Sequence, residues 1–398
     1  GSVNIDRNAS FTLVDGTVLR AAVNEGAGTL VIGEYIESYG PAGMSDFAAL
    51  INSNQDSDIW RAWRQASSGQ DGILRNFSPV SFGALTEMTM SVARASNDLL
   101  RQRLEQRRYD RAIPMAMMVG TNTFYANGFG GTRDSGESSG ENPNYDLNYF
   151  GAQAGFDTIL SGQAIAGVNL NCATGKANIH ANGGKHESSS IGVGIYGQYM
   201  FDELTYLGVG ARLGFDAYDT KRRTAFGEVE GETSGFDMGL SATLGRLFVL
   251  DASNGIHFSP YLGLDLDYVT VGNFDETETA NDTALRVDSF DRISLRGIAG
   301  ASLTWAPVPE WRFTLDASVR HEFVGNDSDI DATFQSGIYA GKKSTTTAYY
   351  ANETSLSIGP RVEYRFNNSW AVNAAYAYET DFEEATSHNA NIGLSARF

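Results

Sequence analysis

The sequence predicts an all-β protein: a 12-stranded antiparallel transmembrane β-barrel with an N-terminal α-helix in its pore, preceded by a short β-solenoid-like segment. Three observations carry this prediction. Apolar and polar residues alternate in long runs, short turns alternate with longer loops, and the last residue is aromatic.

The alternation is plainest at the end of the chain. Trp370, Val372, Ala374, Tyr376 and Tyr378 are followed by a polar break, and then by Ala390, Ile392, Leu394, Ala396 and Phe398. Successive strand residues point to opposite faces, so one face of each run is apolar and the other carries Asn, Gly, Ser and Arg. A strand with lipid outside and a polar lumen inside needs that division.

Composition excludes the main alternatives. Among 398 residues there are only 8 Pro but 44 Gly, 22 Phe and 18 Tyr, which suits crowded lumen walls and interfacial girdles. No run approaches the roughly 18 apolar residues of a spanning helix, so insertion has to be through strands. Strands in hydrocarbon have to close into a barrel, because an open edge would strand unpaired backbone groups. The single Cys172 excludes an intrachain disulfide, and the net charge of −19 argues against nucleic acid as a partner. The start at Gly1, Ser2, Val3 carries no signal peptide; the expectation is either an upstream region removed or a tag scar.

Taken in order, residues 1–44 hold short β rungs, Val3 to Ile5, Ser10 to Leu13, Val18 to Val23 and Gly28 to Ile32, separated by Asp, Asn and Gly. Rungs of that size read as the end of a β-solenoid. Residues 45–77 are mixed, helical or irregular, with Ile59-Trp60-Arg61-Ala62-Trp63 as one turn packed on the solenoid end. Residues 78–111 begin with Ser78-Pro79, an N-cap followed by proline at the first helical position, and Leu85, Met88, Val92 and Leu99 follow at helical spacing. This helix is net basic, and at about 10–12 Å wide it fits the lumen of a barrel of this size. Arg94, Arg101, Arg103, Arg107 and Arg108 are expected to meet lumen carboxylates such as Asp157, Asp216, Asp265, Asp267 and Glu363.

Residues 112–398 make the barrel, with strands expected at 115–130, 145–160, 163–178, 188–201, 205–220, 228–250, 256–272, 289–305, 311–324, 345–366, 369–378 and 386–398. Five tight turns, at Ser161-Gly162, Asp202-Glu203, 251–255, 307–310 and Asn367-Asn368, alternate with six longer loops at 131–144, 179–187, 221–227, 273–288, 325–344 and 379–385. Both strand ends then lie on the short-turn, periplasmic side. A soluble sandwich also alternates, but its strands run to about 5–6 residues.

Together these features resemble the translocator end of an autotransporter, the type V secretion family. The resemblance covers about Ser78 to Phe398 and rests on organisation and the terminal strand. It implies a barrel in the bacterial outer membrane, with its lipid as surroundings, a helix filling the pore, and an N-terminal passenger carried to the cell surface. It also implies that the row Ala390, Ile392, Leu394, Ala396 and Phe398 is the signal read by the barrel-assembly machinery. Some members cut themselves at paired asparagines in the helix. Here Ser96-Asn97-Asp98-Leu99 has similar surroundings, with Asp98 where the second asparagine would stand. The chemistry would be attack by the Asn97 amide on its own carbonyl carbon. No cofactor or metal is expected.

Two other readings differ in class. A loop hydrolase would use His180, His186 or His388, the last near Asp381, Glu383 and Glu384, as a general base, but no nucleophile elbow or zinc spacing accompanies them. A passive porin has no use for the helix. The run Asp275-Glu276-Thr277-Glu278 lacks the spacing of a calcium loop and reads as a solvated cap.

Overall fold

The computed structural model describes residues 10–12, 18–24, 29–34, 44–54, 57–65, 76–111, 121–135, 145–180, 184–278, 283–325, 327–350, 354–382 and 385–398. Ahead of the barrel lie β1 (Ser10–Thr12), β2 (Val18–Asn24), β3 (Thr29–Glu34), α1 (Ser45–Asn52), α2 (Asp58–Gln65), a 3₁₀ turn at Pro79–Phe82 and α3 (Gly83–Arg111). Next come β4 (Asn122–Asp134), β5 (Tyr145–Ile159), β6 (Ala164–Ile179), β7 (Lys185–Met200), β8 (Thr205–Thr224), β9 (Gly227–Arg246) and the short β10 (Phe248–Asp251). After β11 (Ile256–Val271), three short strands follow in the loop: β12 (Phe274–Asp275), β13 (Thr277–Glu278) and β14 (Leu285–Val287). Then come β15 (Phe290–Val308), β16 (Trp311–Val324), β17 (Asp327–Phe334), β18 (Lys343–Tyr349), β19 (Thr354–Arg365), β20 (Trp370–Thr380) and β21 (Thr386–Arg397).

Twelve of these strands pair antiparallel in the order β4, β5, β6, β7, β8, β9, β11, β15, β16, β19, β20, β21, and β21 pairs back to β4. The sheet is therefore a closed barrel, which removes the open edge that hydrocarbon forbids. At the seam Phe398 and Asn122 exchange both backbone hydrogen bonds, each at 3.0 Å.

Register shows where the bilayer lies. Ala154, Leu170, Val193, Leu213 and Met238 stand side by side in one row across β5 to β9, and the last four are 41–55% exposed. Toward the loop end, Lys176, Glu187, Asp219 and Glu232 occupy another outward row, where apolar side chains give way to charge. On β7 the stretch from Ser189 to Tyr199 rises roughly 25 Å at about 3.3 Å per residue and a tilt of about 40°, the height of an apolar band. The opposite faces are polar and enclosed: Arg212, Asp216, Asp237, Asp265, Arg296 and Arg320 are all buried inside. Several wall glycines are required by aromatic rings laid across them. Tyr125 and Gly155 are register partners, and any Cβ on Gly155 would collide with the Tyr125 ring.

Beyond the loop-side rim the chain builds a second sheet. Its order is β12, β14, β17, β18. With α1, α2 and the 3₁₀ turn it shares an apolar core that includes Phe47, Ile51, Phe77, Phe82, Ile330 and Phe334. Each such side chain contributes roughly 1.5–3 kcal/mol when fully buried.

Several expectations shift. The 345–366 run is two strands, because Lys343–Tyr349 pairs with β17 in the outer sheet and only β19 joins the barrel. The supposed loop at 221–227 is a hairpin whose strands continue to Thr224 and from Gly227, held by Lys221 to Glu228 and Glu230 and by Arg223 to Glu228. The first barrel strand is Asn122–Asp134, four residues past the expected end at 130; residues 112–120, which include the expected start at 115, lie outside the described residues. Glu276 is no solvated cap: it is 3% exposed and ion-paired to Arg222. Finally, β1, β2 and β3 form an antiparallel meander. Solenoid coils stack parallel strands, so in its described part this segment is not a solenoid rung. The turn around Trp60 is part of α2, and it packs into the core shared with the outer sheet.

Candidate functional site: the helix inside the barrel

Local sequence sets where α3 starts. Ser78 is extended (φ −85°, ψ 158°) and its hydroxyl accepts from the Val80 N–H at 3.4 Å, while Pro79 supplies a fixed φ in the first turn. The 29 residues of α3 then span about 43 Å at 1.5 Å each, enough to traverse the barrel. The helix lies against β5 to β9 and β11. Its apolar side chains meet the wall where the wall is smallest: Leu100 and Leu104 sit over Gly210 and Gly208.

Charge fixes the helix from one end to the other. Near the loop end, Glu87 receives Arg292 at 2.5 Å, Arg94 at 3.1 Å and Arg133 at 3.4 Å. Arg94 also reaches Glu322 at 3.1 Å. At mid-depth Asp98 is paired with Arg101 at 2.6 Å and Arg320 at 3.2 Å, and Arg101 pairs with Asp265. Lower down, Glu105 pairs with Arg361 and accepts from Ser302 at 2.9 Å. At the short-turn end Arg103 and Arg107 share Asp157, at 2.7 and 2.9 Å, and Tyr196 donates to the same carboxylate at 3.1 Å. Arg108 donates to Gln198 at 2.8 Å and lies 3.6 Å from the centre of the Tyr206 ring. These partners come from strands spread around the barrel, so both sliding and rotation would break several pairs at once.

The residues singled out in the sequence divide accordingly. Asp157 and Asp265 meet helix arginines. Asp267 and Glu363 pair with wall arginines instead, Arg212 at 3.1 Å and Arg312 at 3.2 Å. Asp216 lies buried beside Asp237 and Thr89. Sequence reasoning missed the reverse polarity, in which the helix acids Glu87, Asp98 and Glu105 hold wall arginines. The signal was available: Arg133, Arg292, Arg320 and Arg361 recur on the polar faces of strands. On the side of the lumen toward β16 and β19 a cavity of about 90 Å³ remains beside the helix, lined in part by Arg101, Glu105, Asp316, Arg320 and Arg361.

Asn97 is 6% exposed, and its Nδ2 has no hydrogen-bond partner among the described residues. Among the described residues the histidines do not assemble a catalytic rim; Glu383 and Glu384 lie outside the described residues. His186 is buried against the Phe82 ring, His180 pairs with Asp146 at 2.9 Å, and His388 turns outward to Tyr376 at 2.6 Å, while Asp381 binds the Ala385 N–H. Along β21, Ala390, Ile392, Leu394 and Ala396 face outward, with Phe398 exposed and 6.3 Å from the Phe156 ring.

Comparison with known proteins agrees with this architecture. A family model described as the autotransporter beta-domain matches residues 124–377. The translocator domain of the autotransporter NalP from Neisseria meningitidis superposes with a TM-score of 0.56 at 17% identity, covering 77% of this chain and 99% of that one. The beta domain of the Bordetella autotransporter BrkA gives 0.50 at 16% identity, covering 69% and 98%. At such identities the likeness is one of fold. No curated protein sequence matches the chain. The family match spans more than half of the chain: it belongs to the autotransporter beta-domain family, and its barrel is an outer-membrane translocator domain.

Proposed function

We propose that this barrel exports its own N-terminal passenger to the cell surface, anchors it in the outer membrane, and is then plugged by α3. The observation that carries this reading is the path of the chain. Phe398 and Asn122 lie at the short-turn end, and α3 runs through the lumen with its own N-terminal end among the long loops. The described residues of α1 and α2 accordingly sit on the loop side, which in a barrel of this kind faces outward. Export itself makes and breaks no bond; folding of the passenger outside supplies direction.

The paired charges support plugging. A buried ion pair broken on one side costs about 3–5 kcal/mol, so a helix held by several such pairs stays in place once seated. Within the same reading, outer-membrane lipid covers the apolar band and the barrel-assembly machinery reads the terminal row ending at Phe398. The helix is expected to remain intact, because Asp98 is already neutralised by two guanidinium groups and the Asn97 amide nitrogen has no hydrogen-bond partner among the described residues to take its proton. Substituting Arg94, Arg101, Arg103, Arg107 and Arg108 together by Gln should raise single-channel conductance in planar bilayers. Conductance equal to that of the parent protein would count against a plug.

A further inference from the structure

The segment in front of α3 makes contacts of its own with the outer sheet. Two helices and a hydroxyl contact fasten residues 44–65 directly to the outer sheet. Met44, Phe47, Ile51, Ile59 and Trp60 are all less than 7% exposed, and they belong to one apolar cluster with Val287, Ile330, Phe334, Tyr339 and Ala348. The Phe47 and Phe334 rings stack at 6.1 Å. The Tyr339 hydroxyl reaches the Ile51 carbonyl at 2.9 Å, the Asn54 carbonyl at 3.0 Å and the Ser57 hydroxyl at 2.7 Å. It thus meets carbonyls at and just beyond the end of α1, groups that a helix terminus leaves without partners of its own.

We propose that the outer sheet β12, β14, β17, β18 is a clamp for residues 44–65 of its own chain, which retains the N-terminal part on the barrel after the backbone between α2 and the 3₁₀ turn has been cut. The clamp is built from the loops between β11 and β15 and between β16 and β19, so it is part of the barrel and stays behind when the link is severed. The contact has the composition of a stable interface: a buried apolar centre with paired aromatics and a tyrosine whose hydroxyl is satisfied within it. On the other side of the link, Arg222 donates to the Asn76 carbonyl at 2.7 Å while paired with Glu276, so the stretch entering the pore has a polar grip of its own beside the apolar core it shares with α1 and α2. Two grips flank residues 66–75, and cutting between them separates covalent from non-covalent attachment. This rests on the translocator reading only in placing the clamp at the cell surface.

The test inserts a protease site flanked by Gly and Ser between residues 65 and 76 of the full chain. The purified protein is cut in detergent micelles and passed over a sizing column, with cutting read on a denaturing gel. The N-terminal fragment is expected to co-elute with the barrel. Phe47→Ala lies outside the barrel, whose migration on an unheated gel should stay unchanged; it should speed release on the order of a hundredfold, the effect of an emptied aromatic site. Tyr339→Phe should speed release by a smaller factor, with barrel migration on an unheated gel unchanged. A fragment that separates from the parent barrel as soon as it is cut overturns the clamp. Retention unaltered by both substitutions overturns it as well. Because the micelle experiment has no inside or outside, its outcome is independent of membrane orientation, which antibody access to the fragment on intact cells reads separately.

Discussion

At the scale of residues, a small set of buried contacts decides the position of the helix. Asp157 is the most demanding, since two helix arginines and one tyrosine converge on it and it is fully buried. Asp157→Ala leaves Arg103 and Arg107 in a dry site without their shared partner. We expect a loss of about 3–5 kcal/mol, seen as a lower temperature for loss of the folded band on a gel. The exposed pair of Lys221 and Glu230 is the contrast: Glu230→Ala should leave that temperature unchanged. Gly155→Val tests the ring-on-glycine packing, because the Tyr125 ring it would meet is buried against Tyr196 and the Arg103 guanidinium; a cost of about 1–3 kcal/mol is expected in the same assay. None of these partners is adjacent in sequence. Alternation told which charged residues face the lumen, but not which carboxylate meets which arginine, since that depends on strand register and on the height and rotation of the helix.

At the scale of elements, strands were legible wherever burial alternated, and misread where pairing rather than pattern decided. Lys343–Tyr349 alternates and is rich in β-branched threonine, so it was correctly a strand; its partner β17 lies in a different sheet, which no local pattern states. The 221–227 stretch looked like a loop because it is charged, yet opposite charges across a hairpin hold strands together. Glu276 was misplaced for the same reason, its partner Arg222 being 54 residues away. The short turns were read well because their chemistry is local. In the turn after β10 the Asp251 carboxyl is pulled down to about 2, first by the Ser253 hydroxyl and then by Asn254. The carboxyl after β7, Asp202, is lowered by the backbone N–H groups of Thr205 and Leu204. A lowered carboxyl supports its turn above its ordinary value of 3.8, and that support disappears as pH falls toward about 2. Amide exchange at Ser253 and Asn254, corrected for intrinsic rate, should therefore accelerate over that interval, and Asp251→Ala should abolish the pH dependence.

At the scale of the whole molecule, the barrel, helix and outer sheet form one path. The barrel was readable from its two-residue period, the count of strands and the alternation of turns and loops, all of which a membrane imposes on sequence. The pore helix was readable from its cap and its spacing. The outer sheet was not, since it joins two loops to a segment more than 200 residues upstream, and the antiparallel pairing of β1 to β3 was hidden because short rungs look alike in a solenoid and in a meander. The central claim is that the chain upstream of α3 lies outside the cell while the barrel remains in the outer membrane. An epitope tag placed before Gly1 tests it on intact cells expressing the protein. The account predicts that antibody and added protease reach the tag without breaking the membrane, and that the tag stays joined to the barrel. A tag protected until the outer membrane is opened would contradict it.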